Sequence, residues 1–432
     1  MRDLVITLAV LGALPFVFKR PYIGILLWVW ISVMNPHRLS WGFAYDFPFA
    51  QLIAVTTLIS LFFRKEKAKL TWSAPMILLL IFVFWMSVST LFALVPKEAN
   101  IQWGIVIKIM FMIFVTMVAV AGKRQIELLV WALALSLGFY GVKGGLFTLM
   151  GGATDTVYGP PSSYIEENNA LAMALLMTVP LIWYLRNHVT KTWLRLGLLG
   201  AMGLCLISAL GSYSRGALLA LFPMVFFLWL KSRNKAPLAF LIILLAPLMF
   251  SMMPEKWFTR METISTYDED ESAMGRINAW QTAFNIAKDR PLVGGGFQLY
   301  EPQVFLRYSP NPENVHAAHS IYFAALGEHG FVGLGLFLML GVATWRTASW
   351  VVRHSKTRSE LSWASDLGLM IQVSLVGYAV GGAFLSVLYF DLPYYLLAIL
   401  VLLKKEVQKT LAQKSEQTRA GVGTIPVTMP LK

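Results

Sequence analysis

Residues 315–333 read Val315-His316-Ala317-Ala318-His319-Ser320-Ile321-Tyr322-Phe323-Ala324-Ala325-Leu326-Gly327-Glu328-His329-Gly330-Phe331-Val332-Gly333. They close the only long polar interval of the chain, Pro254–Ala318, and open a new apolar stretch at His319. Long ordered loops between apolar helices are uncommon and tend to carry function. The loop therefore reads as the builder of a site on a membrane surface, with His319 at the mouth of the next helix.

Composition agrees with that frame. The 432 residues are 57% hydrophobic and only 14% charged, where soluble domains carry about 25% charged residues. The apolar residues fall in blocks near 3–18, 21–34, 49–63, 74–95, 101–121, 126–149, 169–185, 193–211, 216–230, 236–252, 319–345, 366–386 and 390–403. This pattern predicts an all-α, polytopic membrane protein of about 12–13 transmembrane helices, with one long outer loop that contains helices. Its expected parts are N-terminal spans (1–253), the loop (254–318), C-terminal spans (319–403) and a tail (404–432) that is mobile beyond about Lys414. Arg2–Phe18 lacks a small-residue cleavage site, so no cleavable signal is expected. The single cysteine, Cys205, lies in an apolar run and reads as a packing residue.

The net charge is +13, yet it does not point to nucleic acid. Pro254–Ala318 holds six basic and nine acidic residues. The basic excess crowds into alternate short loops, Arg64–Lys69, Lys123–Arg124, Arg186–Arg195, Lys231–Lys235 and Arg346–Arg358. The positive-inside rule puts these loops and Lys404-Lys405 in the cytoplasm and the long loop outside. In a Gram-negative cell that is the periplasmic face of the inner membrane. Trp and Tyr near the block ends form the usual interfacial belt.

Several residues have the chemistry for a site. Arg215, in Ser212-Tyr213-Ser214-Arg215-Gly216, stands at an outer span junction. It either snorkels to lipid phosphate or holds a substrate phosphate with two parallel donors. Gly275-Arg276-Ile277-Asn278-Ala279-Trp280 opens a helical stretch whose Ala279, Ala283, Phe284 and Ala287 share one face. That face predicts docking on the membrane domain. Gly294-Gly295-Gly296 reads mainly as a tight turn and only weakly as a phosphate cradle.

His316 and His319 are three apart, but spacing fixes no third metal ligand, and a surface-capping histidine is the commoner case. A helix N-terminus disfavours imidazolium, which suits His319 to general-base work. Asp391, at another outer junction, is a candidate to orient it. Lys143, ahead of Gly144-Gly145, either snorkels or supports the site. Glu166-Glu167-Asn168-Asn169 opens a span as a candidate cap.

Together these residues resemble O-antigen ligases. His319-Ser320, nine residues and then Gly330-Phe331-Val332-Gly333 fit the family's H-[NSQ]-x9-G-x-x-[G/T/Y] signature, and Arg215-x3-Leu219 fits its R-x3-L signature. Arg276 with Trp280, before Pro291–Gly296, resembles the second arginine region of the wider ligase and polymerase superfamily. Gly141–Gly145 and Tyr158–Pro161 look like the branch called exosortase-associated O-glycosylation ligases.

The resemblance implies a GT-C-like, inverting glycosyltransferase that needs no metal or other cofactor. Its donor would be a glycan on undecaprenyl diphosphate, its acceptor a sugar hydroxyl of lipid A–core, and its site periplasmic. His319 would be the base, with Arg215 and Arg276 on the diphosphate and His316, Lys143 and Asp391 in support. An O-antigen polymerase or a protein O-oligosaccharyltransferase shares that donor chemistry. A transporter of lipid-linked glycan, with Lys108, Lys143 and Glu328 along its path, is the alternative of a different class. The chain shows no internal repeat of the kind that builds many transporters.

Overall fold

A computed structural model describes residues 1–64, 72–150, 156–232, 235–236 and 271–422. These residues are helix and loop, with no strand among them. In chain order the helices are α1 Arg2–Lys19, α2 Pro21–Val29, α3 Phe49–Phe62, α4 Ala74–Leu91, α5 Pro96–Ala119, α6 Gly122–Leu149 and α7 Asn168–His188. After these come α8 Thr192–Gly211, α9 Arg215–Lys231, α10 Glu271–Asp289, α11 Pro302–Tyr308, α12 Ile321–Ser355, α13 Ser362–Gly381 and α14 Asp391–Val422. Proline stands in the first turn of α2, α4, α5 and α11. There its fixed φ suits the helix and its missing N–H costs nothing.

Seven helices among the described residues are long and apolar enough to cross a membrane: Ala74–Leu91, Pro96–Ala119, Gly122–Leu149, Asn168–His188, Thr192–Gly211, Ile321–Ser355 and Ser359–Phe384. The apolar helices Pro21–Met34 and Phe49–Phe62 are shorter. At 1.5 Å per residue such helices fall short of a ~30 Å hydrocarbon core. The expectation of 12–13 spans counted these short blocks as crossings. Residues 237–270, which include nearly all of the block at 236–252, and the basic loop 65–71 lie outside the described residues.

α7 runs through the interior and is buried along most of its length. Asp391–Leu403 is buried at every residue. Helices apolar on all sides belong in such central positions. α6 and α8 approach closely because Gly141, Gly144 and Gly145 face Cys205, Ser208 and Leu204. A Cβ at Gly145 would lie 2.8 Å from Leu204 Cα. Small residues that let backbones meet are how membrane helices pack without a hydrophobic drive between them.

The polar interval holds α10 and α11. Ala279, Ala283, Ile286 and Ala287 of α10 are fully buried, so the apolar face docks as its spacing predicts. Phe284 departs from that face, being half-exposed and edge-on to Phe331. At the other end of the chain, α14 continues past Lys414, where a mobile tail was expected to begin, as far as Val422. No glycine or proline interrupts it between Pro393 and Gly421. Gly122 N–H donates to Glu406 Oε1 at 3.1 Å, and Lys414 pairs with Glu360.

Candidate functional site

α12 is not one straight helix. Gly330 has φ 70° and ψ −173° in its middle, and the turn around it is broken. A break inside an apolar helix frees backbone groups that lipid cannot satisfy. The glycine run supplies partners. Gly295 N–H donates to Gly327 O at 2.7 Å and Gly296 N–H to Glu328 O at 2.8 Å. Phe331 N–H donates to Pro291 O at 2.9 Å, and the Trp85 indole donates to His329 O at 3.1 Å. Gly294 (φ 63°) and Gly296 (φ 79°) adopt left-handed backbone to make this fit. The Gly294–Gly296 run is thus a structural clasp on α12 and not a phosphate cradle.

Beneath the break lies a buried polar chain. His329 is 0% exposed, with Nδ1 2.6 Å from Ser89 Oγ and Nε2 2.6 Å from the Tyr389 hydroxyl. The same Tyr389 hydroxyl donates to Glu328. Glu328 and His329 are therefore bound into the packing of α4, α12 and the segment before α14.

The clasp fixes α10 against the start of α12. Trp280 donates its indole N–H to Ala318 O at 2.6 Å and stacks on Phe323 with 5.0 Å between ring centres. Asn278 Nδ2 donates to Asn311 O and Asn314 O. One turn before Trp280, Arg276 is half-buried, and Gly275 lies so close to His316 that a Cβ would sit 2.8 Å from its ring. Arg276 is near enough to His319 to act on it electrostatically.

His319 itself has φ 42°, outside the helix that Ser320 caps. Its Nδ1 is hydrogen-bonded to Ser386 Oγ at 3.1 Å. Burial, more than any charge, lowers its pKa below the ordinary histidine value; Glu167 pushes it up, while Arg276 and His316 push it down. The helix dipole was the expected reason for a neutral ring; desolvation is a second and independent one.

Arg215 arrives from another direction. Tyr213 is buried with φ 58°, Ser214 caps α9 by accepting from Ala217 N–H at 3.1 Å, and Arg215 follows, half-buried. Gly216 packs on Phe384 and Leu385, next to the Ser386 that meets His319. Asn168 Nδ2 ties α7 to Ser212 O at 2.7 Å, with Glu167 adjoining. The ends of α7 and α9, α10, the start of α12 and segment 384–386 thus converge.

Two candidates lie elsewhere. Lys143 is exposed on α6, beside the glycines that pack on α8. Asp391 is 3% exposed and neighbours Ser32, so a His319–Asp391 pair is not formed; Ser386 stands where Asp391 was expected. Ser386 and Glu167 were missed as site residues. No group of three or more His, Cys, Asp or Glu side chains suited to a metal ion occurs among the described residues.

Residues 200–338, the span that contains Arg215, Arg276, His319, Gly330 and Gly333, match the family described as O-Antigen ligase. The chain carries an O-antigen ligase domain. Residues 1–190 match a family of unknown function, DUF5935. No curated protein matches the sequence. With its long apolar helices, the chain that carries this domain is a multi-pass membrane protein. The domain match implies a glycan-transferring enzyme acting on lipid-linked glycan. Arg215, Arg276 and His319 fall inside the ligase match, whereas Ser386 lies beyond it and Glu167 in the N-terminal match.

Proposed function

We propose that the protein transfers an undecaprenyl-diphosphate-linked O-antigen glycan to a sugar hydroxyl of lipid A–core at the periplasmic face of the inner membrane. The observation that carries this reading is the convergence of a half-buried histidine of depressed pKa with Arg276 and the Arg215 end of α9. On this reading Ser386 accepts the Nδ1–H of His319, which leaves the lone pair on Nε2. Nε2 takes the proton of the acceptor hydroxyl as its oxygen bonds to the anomeric carbon. The bond from that carbon to the diphosphate breaks, and the electron pair leaves with the diphosphate. Attack from the face opposite the leaving group inverts the anomeric centre. Arg215 and Arg276 offset the growing negative charge with paired donors, a role that requires no metal. His316 sits beside this group as an electrostatic neighbour of the base.

The test uses purified full-length protein in detergent, where transport has no meaning. Lipid-linked glycan is offered with lipid A–core, with a second lipid-linked glycan, or with a peptide, each with and without EDTA. The expected product is glycosylated lipid A–core, formed equally in EDTA. Product only on the second glycan or the peptide reassigns the acceptor, and no product with any acceptor rejects transfer. Cysteines at 276 and 319, and not at 67, are expected to label from outside in intact cells with an impermeant thiol reagent.

A further inference from the structure

Lys19, Arg20, Arg64, Lys123 and Arg124 line one pocket of ≈ 680 Å³, and no Asp or Glu is among its described lining residues. The chain brings these side chains from three places: the link between α1 and α2, the end of α3 and the start of α6. Helix α5 fixes where the pocket lies. Leu94, just before α5, donates its N–H to Gly295 O at 2.7 Å in the glycine clasp, whereas Ala119, at the other end of α5, lines the pocket. The helix has 24 residues. About 36 Å of helix therefore separates the two places, more than a hydrocarbon core of ~30 Å. The pocket and the candidate site face opposite sides of the membrane.

Most of the charge there is uncompensated. Lys123 Nζ lies 3.7 Å from Glu127 Oε1. Lys19, Arg20, Arg64 and Arg124 form no ion pair among the described residues. Helix ends do not decide the sign. The ends of α1, α3 and α5 bring carbonyls and the starts of α2 and α6 bring N–H groups, each end worth about half a charge, so they nearly offset. Ser60 Oγ is already spent on Val17 O and Phe18 O. Like charges gathered in one pocket repel, and an anion between them removes that cost.

We propose that this pocket binds the phosphate headgroup of an anionic phospholipid. Each guanidinium offers phosphate two parallel donors, and the volume lies within the range of ligand pockets, about 300–1,000 Å³. Soluble phosphate carries the same charge, but the rim favours lipid. Phe18 is 54% and Phe63 75% exposed at the pocket. Leu4, Leu8 and Leu11 are exposed too, and their helical spacing puts them on one face of α1 with Phe18. Acyl chains lie along that apolar row while the phosphate stays with the arginines. The charge-based orientation makes this the cytoplasmic leaflet, where basic pockets between helices hold anionic headgroups. The inference does not use the glycan-transfer reading. The whole described lining falls within residues 1–190, so the headgroup gives that region a contact of its own, bridging the ends of α1, α3 and α6.

The test places p-benzoylphenylalanine either at Phe63, on the rim, or at Trp193. Trp193 is exposed between Lys191 and Arg195 but outside the pocket, on the same membrane face, since it follows α7, whose Tyr184 hydroxyl donates to Glu127 at 3.2 Å. Full-length protein is reconstituted in vesicles of phosphatidylethanolamine with a minority of phosphatidylglycerol and irradiated. Mass spectrometry reads the ratio of the two crosslinked lipids. The phosphatidylglycerol share at 63 is expected to exceed that at 193 by about fivefold or more. Arg20→Gln combined with Arg124→Gln is expected to lower it to the level at 193, and millimolar inorganic phosphate to leave it unchanged. Equal ratios at the two positions reduce the pocket to general surface charge and overturn the proposal; this comparison decides even where the double variant fails to fold. Enrichment that survives in the folded double variant overturns it as well. Loss of enrichment in inorganic phosphate, but not in chloride of the same ionic strength, assigns the pocket to soluble phosphate and rejects the lipid.

Discussion

Phe331 donates its backbone N–H to the carbonyl of Pro291 at 2.9 Å, one residue past the break in α12. The contact exists because Gly330 turns the chain at φ 70°; a Cβ there would lie 2.6 Å from the same Pro291 oxygen. Loop 291–296 and helix α12 are locked by backbone alone, so side-chain changes around them should be tolerated better than changes at the glycine.

Gly330→Ala is therefore expected to destabilise by at least about 2 kcal/mol, from left-handed strain plus a clash with carbonyl groups that cannot rotate away. Its thermal midpoint in detergent should fall clearly below that of Gly335→Ala, a position open for a Cβ on the same helix. Equal midpoints would show that the break is not maintained by Gly330.

His319→Ala is expected to lose about 10²–10⁴ in transfer rate while still binding the lipid-linked donor. His316→Ala should lose far less, since that ring is exposed. Ser386→Ala should lower the rate by less than His319→Ala does, because it removes only the partner that fixes the tautomer and orientation of the imidazole. Transfer by His319→Ala at the unmodified rate would remove the base assignment.

Acid sensitivity follows from the sign of the His319 shift. Its pKa lies below 6.5, so the neutral ring persists as pH falls past that value and is lost only on passing the depressed one. The acid limb of kcat/KM should accordingly lie below pH 6.5. Glu167 raises the His319 pKa, so Glu167→Gln should move the limb lower still. A limb that moves upward in this variant contradicts the arrangement.

Arg215→Ala and Arg276→Ala should each be nearly inactive, and their lysine versions only partly active, because lysine restores charge without the paired donors. Two groups acting on one leaving group are not independent, so the double alanine variant should cost less than the sum of the singles. Full transfer and unchanged donor affinity in both lysine variants would reduce these residues to membrane anchors.

Much of this arrangement was readable in the chain. Ala279, Ala283 and Ala287 recur at helical spacing and are all buried, and the arginines and His319 stand in recognisable signatures. Ser386 was not readable, since its bond to His319 joins residues 67 apart and Phe384-Leu385-Ser386-Val387 bears no pattern. Glu167 was visible only as a candidate cap, because its effect on His319 acts through space. Asp391 misled by its junction position, where burial beside Ser32 carries it away from the histidine. Hydropathy also marked 21–34 and 49–63, where the helices Pro21–Met34 and Phe49–Phe62 are apolar but shorter than the seven long ones.

The broken turn of α12 has a consequence for assembly. Trp85, Ser89, Pro291, Gly295 and Gly296, which satisfy the groups around Gly330, all precede it in the chain. They have left the ribosome before α12 does. Only Tyr389 follows. The gap in the helix can be sealed as it enters the bilayer, with the tyrosine closing the buried chain last, so biogenesis need not pass through a long-lived state with naked carbonyls in lipid.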